Sequence, residues 1–264
     1  MKDVFEYVNK IICGDCVEVM KSMPNDCVDM IMTSPPYNYK DFSLDFSIIG
    51  NQFFRVLKDG GIAAVVIQDQ TEYCVKKTLT SFRMVLDWCD SIGFKLFECM
   101  IYKRLGASVA IDVKRFRLDH EYVMLFLKGS KPMCFRSKSV KVLSGKCTND
   151  IDKVFFKNDE SYLYESRGTV WSCELDKSES KLKHLHPATY PDKLPYDLIE
   201  CFCPLNGIVL DPFIGSGTTA LAAKALNCNY IGIDISQEFV NLCNKRIVND
   251  YELYKKQVDV WSSK

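Results

Sequence analysis

Four consecutive residues, Ser34-Pro35-Pro36-Tyr37, have the types and spacing to do chemistry on an amine. Neither proline nitrogen carries a hydrogen, so the Ser34 hydroxyl and the neighbouring carbonyls stand as fixed acceptors with no adjacent donors. A planar amine bound there would have its hydrogens held by those acceptors, leaving its lone pair to point elsewhere. Tyr37 could stack on the ring that bears the amine. The turn follows the apolar run 27–33, which has the pattern of a buried strand, and the carboxyl ends of strands are where open α/β sheets place ligands.

A second constellation lies far along the chain. Gly215-x-Gly217-x-x-Ala220 follows one apolar strand and opens a small-residue helix, a pattern that lets a ligand approach the backbone closely. Asp234 stands 23 residues after Asp211, at the end of the next strand, where a carboxylate can take both hydroxyls of a ribose. No lysine follows the second glycine, which argues against a phosphate-binding loop. Two classes of ligand fit a nucleoside-binding βαβ of this kind. A dinucleotide of an oxidoreductase would place its pyrophosphate on the helix N-terminus, and that fingerprint belongs early in a chain. S-adenosylmethionine has no phosphate, and Asp211-Pro212-Phe213 offers an acid for its ammonium and an aromatic ring, which favours the methyl donor. Asp211 could instead cap its own turn. Asp15 has two local readings, a ligand for an amine or hydroxyl and a helix cap.

The elements that must position these residues alternate between strand and helix. A strand at 10–13, a helix at about 15–23 and the strand before Ser34 form a βαβ unit, hence a parallel sheet. Residues 38–50 read as an irregular loop able to close over Tyr37. A helix from 52 ends at Gly60-Gly61, a buried strand covers 62–67, and apolar spacing from Val75 to Ile92 predicts a helix stopped by Gly93. Strands follow at 96–102 and 121–127. After a polar stretch, a helix at 195–203, strands at 207–210 and 230–234, a helix at 220–226 and another at 237–249 lead into a polar tail.

An apolar content of 47% with 26% charged residues in 264 residues suits one soluble α/β domain with an inserted lobe. No apolar run is long enough to cross a bilayer, and the amino terminus lacks a signal-peptide pattern. Thirteen cysteines without a secretory signal point to a reducing cytoplasm. Cys13-x-x-Cys16 and Cys201-x-Cys203, with His184 and His186, do not complete a metal-ligand spacing, so no metal is expected. Formal charge is zero, but residues 101–146 hold eleven Lys or Arg against three acids, a local +8. A basic region on an acidic body is the footprint of a phosphate-binding face.

With both constellations in hand, the chain resembles the β-class of DNA amino-methyltransferases. The resemblance runs from about Ile11 to Ile247 and is interrupted at 129–170. It rests on Gly14-Asp15, Thr33 to Tyr37, Arg55-Val-Leu, Glu121 to Lys128, His186-Pro-Ala, Leu210 to Phe213 with Gly215 to Thr219, and Ile231-Gly-Ile-Asp234. It implies a Rossmann-like S-adenosylmethionine methyltransferase fold: a seven-stranded, mostly parallel sheet with one reversed strand and helices on both faces. Residues 1–128 would form the catalytic part, 129–170 the inserted target-recognition region, and 171–264 the cofactor-binding part of the same domain.

By the same resemblance Ser34, Pro35, Pro36 and Tyr37 are catalytic. Asp15 and Cys16 meet the cofactor adenine, Asp234 the ribose, and Asp211, Phe213, Gly215, Ser216, Gly217, Thr218 and Thr219 the methionine side, with Ser34 shared. Lys193 meets the methionine carboxylate. Double-stranded DNA is the implied partner; a restriction endonuclease acting on the same site and a second copy of the chain are further ones. Serine at the first motif position resembles cytosine-N4 enzymes, whereas aspartate is more usual in adenine-N6 enzymes. Methylation at carbon 5 of cytosine is disfavoured, because the required Pro-Cys dipeptide is absent. A DNA-binding module with a degenerate site is the remaining alternative, and the intact motif pair argues against it.

Overall fold

Alternating burial along single strands shows how this chain builds two layers on one sheet. Ile62, Ala64 and Val66 face one core, and Ala63, Val65 and Ile67 the other, all almost fully buried. A strand buried on both faces belongs in the middle of a covered sheet. The structure, a computed structural model, describes residues 3–36, 44–72, 76–105, 118–136, 139–143, 156–159, 162–166, 168–174, 180–185 and 190–262.

The strands are β1 (Lys10–Cys13), β2 (Val28–Thr33), β3 (Leu57–Ile67), β4 (Thr71–Glu72), β5 (Lys76–Lys77), β6 (Lys95–Leu105) and β7 (His120–Leu127). They continue with β8 (Ser139–Leu143), β9 (Phe156–Asp159), β10 (Tyr162–Ser166), β11 (Val170–Glu174), β12 (Ile208–Asp211) and β13 (Asn229–Asp234). The helices are α1 (Cys16–Ser22), α2 (Phe46–Val56), α3 (Thr80–Asp87), α4 (Lys193–Phe202), α5 (Thr218–Ala225), α6 (Gln237–Asn249) and α7 (Tyr251–Ser262).

The main sheet runs in the order β1-β13-β12-β2-β3-β7-β6-β11. Strand β7 pairs antiparallel with both its neighbours, and every other pairing in the sheet is parallel. The expected single reversed strand is present, but the sheet has eight strands rather than seven. The extra one is β11, which extends the far edge beside β6 through Val170↔Ile101 to Glu174↔Leu105. Helices α4, α5 and α7 cover one face, with Leu194, Leu198, Leu221 and Tyr254 in its core. The other face is covered by α1, α2 and α3 through Met20, Phe53, Met84 and the buried Trp88.

Several boundaries differ from the sequence reading, and the larger differences trace to contacts the fold supplies. Helix α2 begins at Phe46, inside the stretch read as loop, because Asp45 caps it by accepting from the Ser47 and Ile48 amides. It stops at Val56 rather than at the glycines, since its last carbonyls accept from Asp26 and Cys27 at the entry to β2 and the chain passes straight into β3. Helix α3 begins at Thr80, not Val75: residues 76–77 pair with 71–72, and the buried Asp69 carboxylate takes the Ser81 amide and hydroxyl. The tail read as polar is helix α7, whose Tyr254 is buried and donates to the Asp192 carbonyl while Trp261 packs on Tyr196. Within 129–170, β8, β10 and β9 form a separate three-stranded antiparallel sheet. Among the described residues no helix is long and apolar enough to cross a membrane.

Candidate functional site

The crossover from β2 leads through α2 to β3 on one side, while that from β12 leads through α5 to β13 on the other. The strand order therefore reverses between β2 and β12, and ligands of open α/β sheets bind in the crevice at that point. Thr33 ends β2 and Asp211 ends β12, and the Thr33 hydroxyl donates to Asp211 Oδ1 over 2.7 Å. Residues 178 positions apart in the chain are thus in contact. The two constellations share one end of the sheet. Ser34 is half-buried, Pro35 buried and Pro36 exposed. Tyr37 and His186 to Ala188 lie outside the described residues.

Asp211 is buried and its carboxylate is fully used by the chain. Oδ1 accepts from Thr33 and from the Phe213 amide at 3.1 Å; Oδ2 accepts from Thr219 at 2.6 Å and from the Tyr190 hydroxyl at 3.4 Å. Burial pushes its pKa up to about 6, making it a weaker acid, and these donors oppose that rise. These bonds brace its own turn, one of the two roles the sequence allowed. Gly215 and Gly217 sit at φ +51° and +86°, and Ser216, Thr218 and Thr219 around them are buried. The Gly215 amide donates to Asp234 Oδ2 (3.1 Å) and the Ser236 amide to Oδ1 (2.8 Å), fixing a half-buried carboxylate at the tip of β13.

Strand β1 lies beside β13 with Cys13 opposite Asp234, so Asp15 follows the neighbouring strand end. Asp15 Oδ1 caps α1 by accepting from the Val17 and Glu18 amides. Cys16, next in the chain, is buried, and burial, reinforced by the Asp15 charge, pushes its thiol up to about 12. It remains a neutral, space-filling group. Half-buried Phe213, in the turn after Asp211, and exposed Ile235, the residue after Asp234, add apolar surface at the ends of β12 and β13. The Lys193 ammonium pairs with both Asp197 oxygens, at 2.7 and 2.9 Å, and lies over the Trp261 ring.

Several residues that hold the site were not singled out from sequence. Arg246 on α6 is buried and donates to the Ser216 carbonyl, to Thr218 Oγ1 (2.8 Å) and to Asp192 Oδ1 (2.9 Å). Asp192 Oδ1 also accepts from the buried Lys183, whose ammonium is pulled down to about 8 by burial, against the pull of Asp192. Tyr190 and Asp192, two positions apart, therefore strap the glycine turn from two sides. The available signal was an arginine in phase with the apolar Val240, Leu242, Cys243 and Ile247. Two members of the basic stretch are spent inside the fold. Lys128 donates to Asp26 and to the Phe54 and Leu57 carbonyls, and Arg136 to the Glu200 and Cys203 carbonyls.

A doubly wound sheet, a glycine turn at its switch point and a carboxylate at the next strand end define a nucleoside-binding α/β enzyme fold. The family described as DNA methylase matches residues 28–245, and the chain belongs to this family of N6 and N4 methyltransferases. The orphan methyltransferase M.BamHII of Bacillus amyloliquefaciens is 34% identical over 256 residues, covering 90% of this chain and 95% of that one. The Type II methyltransferase M.HinfI of Haemophilus influenzae is 25% identical over 296 residues, covering 97% and 75%. Among solved structures, PvuII DNA methyltransferase (cytosine-N4-specific) superposes with a TM-score of 0.70 at 20% identity, over 93% of this chain and 92% of that chain.

The chain is accordingly a DNA methyltransferase acting on an exocyclic amine, and its cofactor is S-adenosylmethionine. The residues present suit that cofactor. Asp234 offers a held carboxylate for a diol, Ile235 and Phe213 apolar surface for a ring, and the turn before α5 carries no lysine that a phosphate would need.

Proposed function

We propose that this chain methylates the exocyclic N4 of cytosine in double-stranded DNA. The observation that carries the choice is Ser34, a neutral hydroxyl rather than a carboxylate, placed half-buried at the tip of β2 beside the braced β12 turn. The target base leaves the stack, because its amine is unreachable inside a duplex. Ser34 Oγ and the Pro35 carbonyl accept the two amine hydrogens and turn the nitrogen lone pair towards the β12 turn. Tyr37 stacks on the ring. When bound, S-adenosylmethionine would supply an electrophilic methyl: the N–C bond would form as the C–S bond breaks, its electron pair staying on sulfur to leave the neutral thioether, and one proton would leave the nitrogen. Ser34 is half-buried, which gives that proton a route to water. Orientation of this kind is worth about 7–11 kcal/mol in well-aligned reactions.

Asp234 holds the ribose hydroxyls, with Asp15 and Ile235 on the adenine side. The buried Asp211 charge favours the methionine ammonium through its field. Region 129–170, with its β8-β10-β9 sheet, reads the DNA site. A restriction endonuclease of the same specificity, a homodimer and a cytoplasmic location belong to the same proposal. Plasmid DNA from a modification-free host, treated with enzyme and S-adenosylmethionine and digested to nucleosides, should yield N4-methylcytosine by mass spectrometry. N6-methyladenine as sole product would overturn the base assignment. Ser34→Ala and Tyr37→Ala should lose most turnover while keeping cofactor binding, and Asp234→Ala should weaken cofactor binding by calorimetry.

A further inference from the structure

The ladder between β2 and β12 is short. It pairs Val209 with Met30 and Leu210 with Ile31, and goes no further. At its amino end the Asp29 carboxylate accepts from the Ile208 amide at 2.8 Å. At its carboxyl end, past the last paired residues, the link is made by side chains: Thr33 Oγ1 to Asp211 Oδ1. The opening of the ladder makes the crevice, and this bond spans its floor. Thr33 is fully buried and immediately precedes Ser34, while Asp211 immediately precedes the turn that carries Phe213 and the glycines. From Asp211 the chain of contacts continues through Thr219 to the Tyr190 hydroxyl, which lies 2.5 Å from Thr219 Oγ1.

We infer that Thr33 is a positioning residue whose hydroxyl, through Asp211, Thr219 and Tyr190, sets the span between the amine-binding turn and the methyl-donor turn. The inference rests on the methyltransferase reading but not on which base is methylated. Binding of cofactor and of DNA each depends on one turn. The distance between the two turns matters only when both are filled. Loss of the bond therefore acts on turnover rather than on either affinity. A misplacement of about 1 Å is enough to cost about 100-fold in rate.

The test uses Thr33→Val, which keeps the buried shape and removes the hydroxyl, and Thr33→Ser, which restores it. Methyl transfer from labelled S-adenosylmethionine to modification-free plasmid DNA, counted whichever base receives it, gives kcat and both KM values. Wild-type transfer tests the methyltransferase reading by itself, and the ratio of variant to wild type tests this inference. Thr33→Val should lose about 100-fold in kcat with both KM values within about threefold, and Thr33→Ser should recover to within about threefold of wild type. Tyr190→Phe, altered at the far end of the same chain of contacts and away from the strand, should show the same pattern at about tenfold. Unchanged kcat in Thr33→Val and Tyr190→Phe would overturn the inference. So would a loss confined to cofactor KM, or a folded Thr33→Ser that stays as slow as Thr33→Val.

Discussion

Replacing Gly217 by alanine tests the architecture of the cofactor turn in a way that separates two costs. The backbone there is left-handed, at φ +86°, which a side chain tolerates at a cost of about 1–2 kcal/mol. The added Cβ would also sit 2.5 Å from Cys243 Sγ, roughly 1 Å inside ordinary contact distance, at a fully buried position on α6. Overpacking of this kind costs about 1–3 kcal/mol, so Gly217→Ala should lose about 2–5 kcal/mol in urea unfolding with an unchanged slope. Cys243→Ala removes the colliding sulfur and leaves the strained φ in place. The double variant should recover the collision share, with a coupling of about 1–3 kcal/mol in the double-mutant cycle. It should not recover the conformational share. Wild-type stability in Gly217→Ala, or simple additivity in the double variant, would refute the argument.

Two further outcomes follow from the charges around the site. Asp192→Ala takes the shared acid from between two buried cations, Lys183 and Arg246, and should cost about 3–5 kcal/mol in urea unfolding. Glu18→Ala, at an exposed pair with Lys21, should change stability by less than about 0.5 kcal/mol; similar losses in both would refute the distinction. Asp211 offers a pH test. Its folded value of about 6 lies above the ordinary 3.8, so the folded protein takes up a proton that the unfolded chain does not, and this group adds stability as pH falls from 6 towards 3.8. From pH 7 to pH 5 wild type should gain roughly 1 kcal/mol relative to Asp211→Asn, measured from urea midpoints of both proteins. A difference independent of pH would refute the raised pKa.

Both turns and the strands that carry them were legible because their chemistry is local. Two prolines must end a strand, and a Gly-x-Gly after an apolar run must begin a nucleoside turn. Helix α6, read from 237 to about 249, runs from Gln237 to Asn249. Elements whose limits depend on distant partners were not legible. Leu57 is a strand residue because β2 lies alongside it, and Thr80 begins α3 because Asp69, eleven residues earlier, reaches its first turn. Strand β11 is defined by pairing with β6, which its own sequence does not announce. Helix α7 was missed for another reason: Tyr251, Tyr254, Val258 and Trp261 recur at helical spacing, but lysines and acids between them dominate the composition. The bracing of Asp211 could not be foreseen, since four donors from three parts of the chain converge on one carboxylate.

Strand β1 opens the chain, yet its neighbour in the sheet is β13, and β12 lies wedged against β2. During synthesis, the early strands therefore wait with an unfilled gap until residue 234 has left the ribosome. Such late closure slows folding and leaves apolar edges open to other chains. A chain cut after β11 should accordingly need its missing carboxyl-terminal piece, supplied in trans, to stay in solution.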